Sequence, residues 1–193
     1  MIEVHVLFKF AKNPYDGVEV DTTARGGEFR GLSPFVLGPV EAFAGNPAWN
    51  FENFWQYHKV YKCHVGNDGE PTLEWCDWHH KGFMDRRARR YPMGKGAIPE
   101  YSFWDGKHLG YIEARKRIYA PIYAKYVQKT ESFCRLKEIY DSGEVLVLRD
   151  YDAYDHIALG MSLKDVINNS DRKCGHAFVL AMLLTGVLEE CLE

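Results

Sequence analysis

The stretch WNFENFWQYHKVYKCH, residues 49–64, sets eight aromatic or histidine rings around a single acid and two lysines. Its apolar residues, Phe51, Phe54, Trp55, Tyr57, Val60 and Tyr61, fall at helical rather than alternating spacing. The pattern predicts a helix from Phe51 to about His64, with Asn50 as its N-cap. On such a helix Glu52, Gln56 and Lys59 share one face. A core helix has a use for the rings. It has no evident use for an acid, an amide and a cation in their midst, and this polar face is therefore a candidate site.

The remaining chain mixes short strand and helix signals. IEVHVLFKF alternates Val4, Val6 and Phe8 with His5, Leu7 and Lys9 and reads as a strand. A turn at 13–17 leads to GVEVDTT as a returning strand. FRGLSPFVLGPV is broken by Pro34, Gly38 and Pro39 and reads as an extended loop instead of a helix. A second, more polar helix is expected over 72–90, followed by a loop at YPMGKGAIPEY. A third, over 110–128, must bend at Pro121. ESFCRLKEIYDSG reads as a short amphipathic helix closed by Gly143. EVLVLRDYD is a strand whose end delivers Asp150 and Asp152 into a loop, and 177–192 is a buried helix introduced by Cys174-Gly175-His176. No repeat, low-complexity tract or linker interrupts this order. The expectation is one domain over 1–193 of the α+β class, mainly helical, with a few short N-terminal and central strands.

With 193 residues, 46% of them hydrophobic, the chain can bury a substantial core. An aromatic content of 15% is high enough to expect rings in a pocket as well as in the core. The net charge of -3 argues against long-range attraction of the whole molecule to nucleic acid and leaves a local basic patch for any such role. Charges interrupt the early apolar residues, and the longest apolar run, 177–184, is too short to span a bilayer. Neither a secretory leader nor a membrane partner is expected. Five scattered cysteines, an odd number, read as reduced thiols of a cytoplasmic protein.

Four further groups are weighed against plainer readings. Cys63, His64, Cys76, His79 and His80 offer metal-ligand atoms but lack a paired C-x-x-C knuckle. Neighbours on a helix point about a hundred degrees apart, so surface histidines and packed thiols are the better account. KGFMDRRARRYPMGK, residues 81–95, holds six cations and one acid. Such a run is usually a solvated helix face, and its functional reading is a phosphate-binding patch for a nucleotide or nucleic acid. Asp150, Asp152 and Asp155 follow a strand, where a carboxylate is held in place for chemistry, although acids also serve turns there. Trp104, beside Asp105-Gly106 in what reads as a loop before a helix, is either core or a stacking platform for a planar base.

Taken together these pieces resemble the NADAR proteins, a family of single-domain, mainly helical N-glycosidases named for their association with NAD and ADP-ribose. Phe51-Glu52-Asn53-Phe54-Trp55-Gln56-Tyr57-His58-Lys59 keeps the Glu, Gln and Lys of the family helix at the same spacing, the most specific part of the likeness. FRGLSPFVLGPV corresponds to the family's opening F-S-N-F loop, and Trp104, Lys107 and Arg115-Lys116 follow in the family's order. Asp152-Ala153-Tyr154-Asp155 matches its strand end, and Cys174-Gly175-His176 through Met182 its closing helix. The likeness covers 29–188 as a core, with 1–28 as an N-terminal strand extension. Pro34, Asn53, Asp155 and the segment INNSDRKCG depart from the pattern, which points to a shifted substrate.

The resemblance implies hydrolysis of the N-glycosidic bond of an ADP-ribosyl or nucleotide-like substrate, with an ADP-ribosylated nucleobase among the candidates and nucleic acid as its carrier. Glu52, Trp104 and Asp152 would be catalytic and would meet around one pocket. Gln56, Lys59, Lys107, Arg115 and Tyr154 would bind substrate, helped at its phosphates by cations of 86–90. Neither metal nor cofactor is implied. Cleavage builds positive charge on the ribose C1, which a carboxylate in a partly dry pocket stabilises while a second activates water. The alternative is a catalytically altered protein of the same fold that binds ADP-ribose, a nucleotide or nucleic acid without turnover.

Overall fold

The structure, a computed structural model, describes residues 3–41 and 45–193. These residues form a mixed α and β fold, mainly helical, with short strands in two three-stranded sheets. They divide into two compact units, one built from the chain up to Ser33 together with Arg115–Glu193, the other from Pro34–Ala114. No helix among the described residues is long and apolar enough to cross a membrane.

The first unit begins with β1 (Val4–Phe8) and β2 (Val18–Asp21). Instead of returning antiparallel to β1, β2 lies parallel to a strand much later in the chain, at Leu146–Asp150, which also pairs parallel with β1. Strands packed on both faces lose the alternation of a half-exposed strand, and four successive residues of β1, Val4 to Leu7, are buried. A 3-10 helix at Gly27–Leu32 occupies part of what reads from sequence as an extended loop. Phe29 and Leu32, three apart, point to one side of it and are buried.

The second unit holds α1 (Phe51–Tyr57), β3 (Lys59–Val60), α2 (Leu73–Met84), β4 (Tyr101–Trp104), β5 (Lys107–Leu109) and α3 (Tyr111–Ala114). Asn50 caps α1 as expected, its side chain accepting from the Asn53 amide at 2.9 Å. The helix is half the expected length. Beyond it the Phe103 amide donates to the His58 carbonyl at 2.8 Å, and Lys59–Val60 pairs antiparallel with Tyr101–Ser102. The sheet thus takes the backbone groups that would have continued the helix. A further hairpin was hidden in SFWDGKHL: Asp105 at φ 49 and Gly106 at φ 70 make the tight turn between β4 and β5. Trp104 consequently ends a strand, and α2, which stops at Met84, leaves the arginines of 86–90 in a loop.

Back in the first unit, the helix expected to bend at Pro121 widens ahead of it into a π segment, Arg115–Tyr119, before α4 (Ala120–Val127). Proline lacks the amide that an α-helical turn would use, and wider i to i+5 bonding accommodates that loss. Then follow α5 (Glu131–Asp141), β6 (Leu146–Asp150) and α6 (Leu163–Asn168), the last closed by a Ser162–Asp165 capping box. The expected closing helix is two, α7 (His176–Leu184) and α8 (Leu188–Leu192). Gly186 at φ 72 separates them, with Gly186 and Val187 amides returning to the Leu183 and Met182 carbonyls in a Schellman motif. The buried α7 packs on β1, β6 and α4 and forms the centre of this unit.

In the second unit α1 and α2 touch at Gly82, where an added Cβ would sit 2.0 Å from Tyr57 Cδ1. Alanine is the better helix former by about 1 kcal/mol. Overpacking against a buried ring costs about 1–3 kcal/mol, and the clash should win. Gly82→Ala is expected to lower the urea midpoint, and an unchanged or raised midpoint would contradict this packing.

Candidate functional site

The residue types and spacing of the α1 polar face resolve into one side-chain chain. Gln56 Nε2 donates to Glu52 Oε1 at 2.9 Å, and Lys59 Nζ donates to Gln56 Oε1 at 2.7 Å. Glu52 and Gln56 are buried, at 6% and 9% exposure, while Lys59 is half-buried with Nζ 4.8 Å from the centre of the Trp55 ring. Lys59 reaches this chain from β3, not from the helix. A strand residue can still meet a residue three positions earlier because the backbone turns at His58.

The rings answer to a different purpose. Phe51 and Phe54 are 0% and 1% exposed and belong to the core. The Trp104 ring meets Phe54 and His58 edge-on, with centroids 6.1 and 5.0 Å away. His58 donates from Nδ1 to the Phe54 carbonyl at 2.7 Å, and burial, with nearby His79, pushes its pKa down to about 3. His79 is likewise lowered by burial and faces the Tyr57 carbonyl through Nδ1 at 2.7 Å. Both imidazoles are neutral packing elements at physiological pH. Lys107 is exposed and lies across the hairpin from Trp104.

Asn53, one residue from Glu52, is 0% exposed and devotes its amide to the loop after α2. Its Nδ2 donates to the Asp85 and Arg87 carbonyls at 2.8 and 3.1 Å, and its Oδ1 accepts from the Arg89 amide at 2.8 Å. Cys63 and Cys76 are exposed and His64 is buried. Among the described residues no group of three His, Cys, Asp or Glu is arranged to hold a metal ion.

The other expected residues fall in the first unit. Asp152, just past β6, is half-buried and pairs with Lys173 Nζ at 3.0 Å. The Tyr154 ring lies 4.9 Å from that of Phe178 and 5.0 Å from the Arg172 guanidinium, and its buried hydroxyl meets no hydrogen-bond partner among the described residues. Arg115, expected at the phosphate end of the substrate, is 2% exposed. Its guanidinium donates to the carbonyls of Ile167, Asn169 and Arg172, closing the loop after α6.

A buried ion pair was not legible in the sequence. Asp150 Oδ2 lies 3.1 Å from His176 Nδ1, both side chains are 7% exposed, and His176 Nε2 faces the Thr22 carbonyl at 2.9 Å. The carboxylate at one nitrogen and the carbonyl at the other favour the protonated form of His176. Burial pushes its pKa down, but Asp150 and the Thr22 carbonyl outweigh burial and raise it. Burial pushes Asp150 up, and His176 with the Tyr151 and Asp152 amides brings it below its ordinary value. A Cβ on Gly175 would stand 2.1 Å from Asp150 Oδ2, so only glycine fits beside the pair. Neighbouring Cys174 is pushed up to about 12 by burial and carries no thiolate at neutral pH.

Compared with known proteins, the chain matches no family model, no curated protein and no solved structure.

The Asp150–His176 pair sets a pH dependence of folding. The raised pKa of His176 stabilises the fold fully below 6.5, and this is lost as pH rises through the folded value. The lowered pKa of Asp150 does so above 3.8, and this is lost as pH falls through its folded value. His176→Gln should therefore lower the melting temperature and flatten its decline from neutral to mildly alkaline pH. A variant as pH-sensitive as the parent there would show that the pair is not the source.

Proposed function

We propose that the protein is an N-glycosidase acting on an ADP-ribosyl or nucleotide-like N-riboside, with Glu52 as the carboxylate that faces the developing charge. The observation that carries this reading is the Glu52–Gln56–Lys59 chain. The most specific pattern of the resemblance is realised as one hydrogen-bonded array ending in a buried carboxylate. Lys59 polarises the Gln56 amide, and that amide fixes the Glu52 rotamer. A carboxylate so held needs little reorganisation when charge appears beside it.

In the reaction the bond between ribose C1 and the base nitrogen breaks, its electron pair leaving with the nitrogen. C1 passes through an oxocarbenium-like state, as in glycoside hydrolysis. Water adds its oxygen to C1, and the nitrogen ends with a proton. Glu52 opposes the positive charge at C1. By the resemblance the attacking water falls to Asp152, which pairs with Lys173 Nζ at 3.0 Å. Trp104 is assigned to the base and Lys107 to a phosphate.

The test is a panel of N-ribosides, ADP-ribosylated guanosine included, with mass-spectrometric detection of the released base and ribosyl product. Glu52→Gln keeps shape and removes charge, and should lower turnover by about a hundredfold or more. Asp152→Asn, assayed separately, should also lower it, whereas Cys63→Ser, Cys76→Ser and chelator treatment should leave it unchanged. Undiminished turnover in Glu52→Gln would overturn the assignment. Ligand binding without any product release would instead establish the non-hydrolytic alternative.

A further inference from the structure

The loop after α2 is both strongly cationic and unusually well anchored. Residues 81–95 carry six cations and one acid in a chain whose net charge is -3. The acid, Asp85, is taken up by Arg89 Nε at 2.7 Å and by the Arg87 amide at 2.8 Å. Arg86 and Arg87 are exposed, and among the described residues no carboxylate pairs with either. The loop backbone is held from beneath by the three Asn53 bonds, and the Trp49 amide donates to the Phe83 carbonyl at 3.1 Å. A merely solvated basic face has no need of a fully buried amide side chain to fix its backbone.

Flat rings are set among these cations. Trp49 and Tyr91 are both 44% exposed, Arg86 lies 4.4 Å from the Trp49 ring centroid, and Arg90 lies 5.4 Å from that of Tyr91. In each pair a guanidinium lies over one face of a half-exposed ring, so that cation and ring form a stack that a further planar group can extend. An acidic peptide would use the charge but brings no planar group to stack on the exposed rings. Duplex nucleic acid hides the faces of its bases. A single strand presents phosphates and unstacked bases together, and bases stack on aromatic rings and guanidinium planes alike.

We propose that Trp49, Arg86, Arg87, Arg90 and Tyr91 form a binding surface for single-stranded nucleic acid. The surface is independent of turnover, so the proposal stands or falls apart from the glycosidase reading. Arginines grip successive phosphates, and the two rings receive bases with little preference for sequence.

The experiment is fluorescence anisotropy of a labelled oligothymidylate with the full chain across a salt series. Three arginine contacts predict a slope of log affinity against log salt near about −2, since each contact on a single strand contributes about −0.7. Arg86→Ala combined with Arg87→Ala should flatten the slope by about 1.4. Trp49→Ala should weaken binding roughly tenfold at unchanged slope, and Trp49→Phe should restore most of it. Glu52→Gln should bind as the parent does. Thermal melting of each variant reports folding, and Arg86→Glu supplies a second exposed-site test that leaves the core untouched. Absence of binding at low salt would overturn the proposal, as would arginine variants that bind like the parent. Equal or tighter binding to a duplex, to polyglutamate or to phosphatidylserine vesicles would overturn it in favour of a general polyanion or membrane surface.

Discussion

Every side chain of α1 is buried, so its polar groups can be satisfied only by one another or by the segments packed on them. That requirement organises the second unit. Asn50 closes the N-terminus, Asn53 holds the loop after α2, and Glu52 and Gln56 satisfy each other with Lys59 completing the line. The C-terminal end of the helix is satisfied by strand pairing, which fixes where β4 must lie and so where Trp104 is presented. A carboxylate buried at this point costs several kcal/mol unless it is hydrogen-bonded, and the relay from Gln56 supplies part of that compensation.

The first unit meets the same problem with larger charges. β6 lies between two parallel neighbours and ends in Asp150, whose charge is balanced by His176 at the start of α7. Arg149, 7% exposed, is engaged by Glu19 at 2.9 Å and donates to the Phe8 and Ala11 carbonyls, tying the exit of β1 to β6. Arg115 treats the loop after α6 in the same way. Removing one partner of the buried Asp150–His176 pair strands the other, which costs about 3–5 kcal/mol. The end of β6, from which the chain runs on to Asp152 and Tyr154, is thereby held through Asp150 and Arg149.

Local signals carried much of this architecture. The Asn50 cap, the strand over β1, the amphipathic α5 with Gly143 and the strand ending at Asp150 follow from spacing and capping chemistry alone. What failed was decided by distant partners. α1 stops at Tyr57 because residues 101–103 claim the next backbone groups, and β2 is parallel because its partner lies more than a hundred residues away. The Asp105-Gly106 hairpin turn and the Ser162–Asp165 capping box are local signals as well. In the candidate site, the Glu52, Gln56 and Lys59 spacing foretold their contact although the assumed helix did not extend to Lys59. Asn53 and His176 gave no such signal, since a buried amide or imidazole is recognised only by the backbone it meets.

Asn53 and Asp155 are also two of the positions where the chain departs from the pattern it resembles, and each has a task in this structure. Asn53 spends both amide ends on the arginine loop. Asp155 accepts from the Tyr15 hydroxyl at 2.6 Å, a hydrogen bond that pushes Tyr15 up to about 12. The Tyr15 ring in turn stacks on His5 with centroids 3.5 Å apart, fastening the turn between β1 and β2 beside β1. Both departures therefore place a side chain that anchors a neighbouring segment. A change that anchors a loop acts on the shape of that loop, not on the charge of a carboxylate held by its own helix neighbour. Under the proposed glycosidase reading, the departures are assigned to the choice of N-riboside and the hydrolytic step to Glu52.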